Sequence, residues 1–220
     1  MSDITHENPD SGSRLAFTRD ELANTLTHGL GFLLSLGAWG YFWNATDGSP
    51  VGLRVCCLIF VTSMAAVYLC STLSHAVCEL QLRRRMRAWD QGTIYLLIAG
   101  TYSPFIWQGS PLGWTAVILA GVWIAAVWGF YVKVFANYRL DTVSTVTYVL
   151  LGWLPTLPLY VRTPTVCITW MLLGGVSYTL GILFLISSHR AWYAHALWHL
   201  AVILGSLCHC IAINYLIELA

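Results

Sequence analysis

Charge is what this sequence has least of. Only 10% of its 220 residues are Asp, Glu, Lys or Arg, where a soluble domain carries about 25%. Too few ionised groups are present to cover a globule of this size, and with 57% hydrophobic residues a disordered chain is excluded as well. No basic surplus exists: eleven Lys and Arg face ten Asp and Glu, which argues against nucleic acid as a partner. Lysine occurs once, at Lys133. It is expected in a loop outside the last apolar run, so a retinal Schiff base in a seventh helix is excluded. No Cys-x-x-Cys pair occurs among the seven cysteines, and nearly all of them lie in apolar runs. They read as small packing residues. A basic segment followed by a short apolar run and a small-residue cleavage site is missing too, so the first span is expected to do the targeting.

What the sequence has is long apolar runs. A bilayer core about 30 Å thick needs about 20 mostly apolar residues to span it as a helix. Seven runs meet that need: 25–45, 51–78, 91–109, 112–134, 143–161, 165–187 and 193–217. Turn-formers or charge separate them, including Asp47 to Pro50, Glu79 to Trp89, Gly109 to Pro111 and Arg162 to Pro164. Lipid cannot satisfy an open strand edge, so helices are the expected element. The expected fold is an all-α, seven-transmembrane helix bundle over residues 21–220, preceded by a flexible cytoplasmic tail over residues 1–20. Pro104, Pro155 and Pro158 are expected to kink spans.

Orientation follows from the basic residues. Numbering loops alternately, one side receives Arg14, Arg19, Arg83, Arg84, Arg85, Arg87, Lys133, Arg139 and Arg190, and the other Arg54 and Arg162. The positive side is normally cytoplasmic. This puts the N-terminus inside the plasma (inner) membrane and the C-terminus outside. Trp43, Trp107 and Trp114 at outer ends, and Trp89 and Trp192 at inner ends, fit interfacial belts. Membrane lipids are the expected partners. The run Arg83-Arg84-Arg85-Met86-Arg87 reads most simply as a topology anchor, with anionic headgroups as its functional reading.

Ionisable residues inside spans are functional candidates. Here they are His28, His75, Asp90, His195, His199 and His209. All but His209 fall near the inward face. At 1.5 Å per residue, His28, His75 and His199 lie roughly 12–13 Å in from the nearest flanking arginine, and His195 about one turn shallower. Asp90 should lie nearer the cytosol by about two turns, which fits a water-mediated role. His195 and His199, four apart, share a helix face. Two such histidines alone read equally as water-exposed polar residues. With His75 they form a three-His set with an open position, the donor set of catalytic zinc. Asp90 can then hold or deprotonate a water. Ser71, one turn before His75, can hydrogen-bond substrate or water. His28 is not excluded as a ligand by depth, and Cys78 is a minor candidate thiolate. His209, ten residues beyond His199, is too far to share their ion and is expected to hydrogen-bond between helices. His6 and His189 read as solvated.

These residues resemble the adiponectin-receptor and hemolysin III superfamily, at its bacterial hemolysin III end. Glu21-Leu22-Ala23-Asn24-Thr25-Leu26-Thr27-His28 is similar to the opening Glu…Asn…Thr-His motif. Ser71-Thr72-Leu73-Ser74-His75 resembles the Ser-x-x-x-His motif. Asp90-Gln91-Gly92-Thr93-Ile94, running into Ile98 to Pro104, resembles the third-span signature, and His195-Ala196-Leu197-Trp198-His199 the closing His-x-x-x-His motif. The resemblance implies a zinc ion on His75, His195 and His199, with Asp90 bearing on its water and Ser71 nearby. In the animal relatives such a site is linked to lipid amide hydrolysis. Three functions are therefore expected to compete: a zinc-dependent hydrolase of a lipid amide or ester, a channel-forming cytolysin, and a membrane homeostasis or sensor protein with structural zinc.

Overall fold

The computed structural model describes residues 18–111, 113–136, 141–188 and 190–219. Arg14, His6, Arg139 and His189 lie outside these residues, as does nearly all of the tail expected over residues 1–20. The described residues fold as helices, with no strand among them. In order they are α1 (Arg19–Ala45), α2 (Val51–Ala76), α3 (Leu80–Gly109), α4 (Thr115–Val134), α5 (Asp141–Trp153), α6 (Thr156–Leu159), α7 (Thr165–Ser187) and α8 (Ala194–Glu218). Four of them, α2, α4, α7 and α8, are long and apolar enough to cross a membrane.

Helix starts carry recognisable caps. Thr18 precedes α1 and its hydroxyl accepts a hydrogen bond from the Glu21 backbone N–H. Asp20 and Glu21 place acid in the first turn, where the helix dipole favours it. Pro50 and Pro164 stand directly before α2 and α7, where a missing N–H costs least.

Three elements depart from the sequence expectation. The charged stretch Glu79 to Trp89 is not a loop. The Glu79 carboxylate accepts from the Gln81 and Leu82 backbone N–H groups, and α3 runs unbroken from Leu80 through Pro104 to Gly109. The fifth run is not one span-length helix: α5 stops at Trp153 and only the single turn α6 follows Pro155. A proline removes the donor and blocks the preceding turn, so Pro155 breaks the run, whereas Pro104 is accommodated within α3. Lys133 is not in a loop either. It is buried in the last turn of α4, still far in sequence from α8.

The helices pack α1 against α2, α2 against α3, α3 against α4, α7 against α8, and α1 against α8. Phe60, Tyr68, Phe105, Ile106 and Ile213 fill the centre and are almost fully buried. The outside is apolar as well. On α8, Leu197, Leu200, Leu204 and Leu207 are exposed at helical spacing, whereas His199, Ser206 and His209 face inward. Leucines outside and polar groups inside invert the soluble pattern and match a helix bathed in lipid. The cysteines are unpaired, and four of the seven are buried, as packing residues should be.

Close approach of α7 and α8 needs a missing side chain. A Cβ on Gly174 would lie 2.7 Å from His209 Nε2 and 3.0 Å from the Gly205 carbonyl oxygen, whereas one on Gly121 would meet nothing within 4 Å. Gly174→Ala is expected to destabilise by about 1–3 kcal/mol through overpacking. Gly121→Ala should be neutral or gain a few tenths of a kcal/mol or more from helix propensity. Thermal unfolding of the two variants in detergent checks the contrast.

Candidate metal centre

Two helix ends bring three histidines to one point. His75 sits in the last turn of α2, and His195 and His199 in the first two turns of α8. Ring centroids are 4.9 Å apart for His75 and His195, 5.2 Å for His75 and His199, and 4.6 Å for His195 and His199. One nitrogen from each lies within 4.8 Å of the others. That spacing lets a single cation sit between them.

The outer nitrogens of two rings are already engaged. His75 Nδ1 lies 2.7 Å from Glu21 Oε2. His199 Nδ1 lies 3.0 Å from Thr27 Oγ1 and 3.2 Å from the Asn24 carbonyl oxygen. Such partners hold an imidazole in one tautomer and free Nε2 for a metal. The cluster is sheltered: His75 is 5% exposed and His199 1%, and His195 is half-buried. Three imidazoles at matched spacing, two of them braced from behind, fit a transition-metal ion such as zinc.

Asp90 lies closer to this cluster than counting from Arg87 predicts. Ser74 Oγ donates to Asp90 Oδ2 at 3.2 Å, and Ser74 is one residue from His75. The carboxylate interacts electrostatically with His75 and Arg87. The two-turn separation was overestimated because it took the arginine run as the membrane boundary, and the structure places Arg83 inside. Arg83 is 3% exposed and ion-paired to Glu21 of α1. Arg87, half exposed, reaches the same carboxylate at 3.7 Å. Arg83 is thus part of the interior, and the neighbouring Arg84 and Arg85 are exposed.

The other candidates divide. Ser71 is 1% exposed. Its hydroxyl meets hydrogen-bond geometry with no partner among the described residues, although it faces the Asp90 carboxylate. His28 stacks on His199 with centroids 3.6 Å apart and planes at 15°, and both its nitrogens are buried without a hydrogen-bond partner among the described residues. It lies against the cluster but outside the metal-holding group. Cys78 is outside that group too. His209 bridges α8 to α7 by stacking on Tyr178 at 5.4 Å, and its Nδ1 finds no hydrogen-bond partner among the described residues.

Glu21, Asn24, Thr27 and Ser74 are the residues whose roles spacing did not reveal. The signal for the α1 residues is the Glu…Asn…Thr-His motif of Glu21 to His28, which marks the stretch without assigning tasks.

An apolar cleft of about 600 Å³ lies between α1, α2 and α8, lined among others by Gly31, Leu34, Met64, Tyr68, Ile203 and Leu207. None of the three histidines lines it. It approaches them through Tyr68, whose ring is 5.1 Å from that of His28. The Tyr68 hydroxyl donates to Ser206 Oγ at 2.7 Å, and both residues line the cleft.

Apolar helices bearing outward leucines, with a histidine cluster at their ends, define a multi-pass membrane protein with a candidate metal centre. Residues 17–210 match the family described as Haemolysin-III related, and the chain belongs to that family. It is 36% identical over 196 residues to Hemolysin-3 of Bacillus cereus, covering 86% of this chain and 88% of that one. A Hemolysin-3 homolog of Bacillus subtilis (strain 168) is also 36% identical, over 86% of this chain and 90% of its own length. The human Monocyte to macrophage differentiation factor is 24% identical over 216 residues, or 96% of this chain and 90% of its own.

Proposed function

We propose that the protein is a zinc-dependent hydrolase of a lipid amide or ester, working near the cytoplasmic face of the plasma membrane. One observation carries the reading: His75, His195 and His199 converge within 4.8 Å beside the Asp90 carboxylate, in a bundle that exposes many large apolar side chains. In this reading the chain crosses the membrane seven times with its N-terminus inside. The nine-to-two division of basic residues supports that orientation, and the exposure of Trp43, Trp89, Trp107, Trp114 and Trp192 fits belts at both interfaces.

Zinc, when bound by the three histidines, supplies a Lewis acid for a carbonyl oxygen and brings the pKa of a water toward about 7. The chain's own residues do the rest. Asp90 accepts the proton of the attacking water and returns it to the leaving amine or alkoxide. Ser74 donates to Asp90 and keeps one carboxylate oxygen oriented. Ser71, buried beside the Asp90 carboxylate, hydrogen-bonds the substrate or the water. The apolar cleft beside Tyr68 offers room for an acyl chain, its volume falling in the ~300–1,000 Å³ range of small-molecule sites.

The test is release of fatty acid from ceramide and ester lipids by the protein in vesicles, followed by mass spectrometry. Asp90→Asn is expected to keep its zinc and lose about 10²–10⁴-fold in turnover. Metal-loaded protein that releases nothing, or an Asp90→Asn variant with full turnover, defeats the hydrolase reading. The name carried by the 36% identical relatives favours a second reading, a channel-forming cytolysin. Conductance in the same vesicles, indifferent to His75→Ala, would favour that alternative.

A further inference from the structure

We infer that the first three turns of α1 are a preorganising clamp for the metal centre, with Glu21 as the positioning residue that fixes His75. The inference rests on the metal reading above and assigns a task to a segment that reading leaves idle.

Glu21 is placed to do two things at once. Its Oε2 takes the Nδ1 side of His75 at 2.7 Å, and its Oε1 takes the Arg83 guanidinium. The His75 and Arg83 side chains are only 6% and 4% exposed, and that of Glu21 17%. A carboxylate held by a buried arginine on α3 cannot rotate away from the imidazole it orients. With Nδ1–H donated to Glu21, His75 must present Nε2 to the cation, and the anion behind the ring makes that nitrogen a better donor. Arg83 therefore tethers α3 to α1 through the same group that aims the α2 ligand.

The same turns reach the α8 ligands. Thr27 and the Asn24 carbonyl hold Nδ1 of His199. Thr27 Oγ1 donates to the carbonyls of Ala23 and Asn24, so its hydroxyl points its lone pairs toward the ring if the ring donates. Asp20 Oδ1 accepts the backbone N–H of Tyr193 at 3.1 Å. Tyr193 has φ 60°, the one non-glycine residue with positive φ among the described residues, and it immediately precedes α8. Left-handed backbone in an aromatic residue is costly and persists where surroundings impose it. Here the bond to Asp20 sets the start of the helix that carries His195 two residues later. One surface of α1 thus braces both helices that bear the histidines.

The test measures metal, not turnover. Zinc affinity of the purified full-length protein in detergent is read by chelator competition, and ligand geometry by the visible absorption of the cobalt-substituted form. Glu21→Ala is expected to weaken zinc 10–100-fold and to shift the cobalt bands. Glu21→Gln, which keeps an acceptor for the imidazole N–H, is expected to recover part of both; a glutamine variant no better than alanine overturns the hydrogen-bonding role. Should Glu21→Ala fail to fold because Arg83 is stranded, the double variant Glu21→Ala/Arg83→Met removes the stranded cation and is expected to show the same 10–100-fold loss. Unchanged affinity and unchanged bands in either variant overturn the clamp and leave the centre standing. Wild-type protein that binds no zinc or cobalt overturns the centre and the clamp together.

Discussion

His199→Ala is expected to abolish stoichiometric zinc binding. The wild-type chain should bind one zinc per molecule and the variant none, measured by mass spectrometry of metals after desalting. The expected loss is complete because His199 is the ligand most enclosed by the fold. It is 1% exposed, stacked on His28, edge-on to His75 and His195, and held from behind by α1. Alanine there leaves two histidines, on different helices, to hold the ion. The change also reads out in stability. A ligand at 100 times its Kd stabilises by about 2.7 kcal/mol, which for a chain of this length raises Tm by about 5–10 °C. Wild-type protein should show that rise on adding zinc and His199→Ala should show none. A variant that keeps both the metal and the zinc-dependent Tm would mean that the ion sits elsewhere.

Arg83→Met should be the most destabilising single change on the charged stretch. Breaking a buried ion pair by removing one partner costs about 3–5 kcal/mol, because the Glu21 carboxylate stays behind, little exposed, with only His75 and the half-exposed Arg87 near it. Glu21→Gln/Arg83→Met should recover most of the loss, since no charge is then stranded. Arg84→Met and Arg85→Met should stay within about 0.5 kcal/mol, as changes at exposed sites do. Chemical or thermal unfolding of the four variants in one detergent separates these outcomes. Equal losses at Arg83, Arg84 and Arg85 would reduce the stretch to a surface charge.

The same arginine explains where the sequence could and could not be read. Apolar runs translate directly into helices because length and hydropathy are local properties, and α2, α4, α7 and α8 lie close to their expected bounds, while α1 starts six residues earlier, at Arg19 rather than 25. His195 and His199 share a face because the helix repeat is local too. Asp90 was misplaced in depth because an arginine normally marks the water boundary, and whether one is buried depends on a carboxylate supplied by another helix. Glu21, Asn24 and Thr27 stand in a motif, but their tasks are not legible for the same reason: their partners are more than fifty residues away. The break at Pro155 was legible as a kink, but not that it would end α5 outright.

X-ray absorption at the zinc edge of the purified, metal-replete protein examines the heart of the matter. Four nitrogen or oxygen neighbours at about 2.0–2.1 Å, with outer-sphere scattering from three imidazole rings, is the expected spectrum. A sulfur neighbour at about 2.3 Å, fewer than two imidazoles, or no zinc retained at one per chain would contradict a cation gripped by His75, His195 and His199.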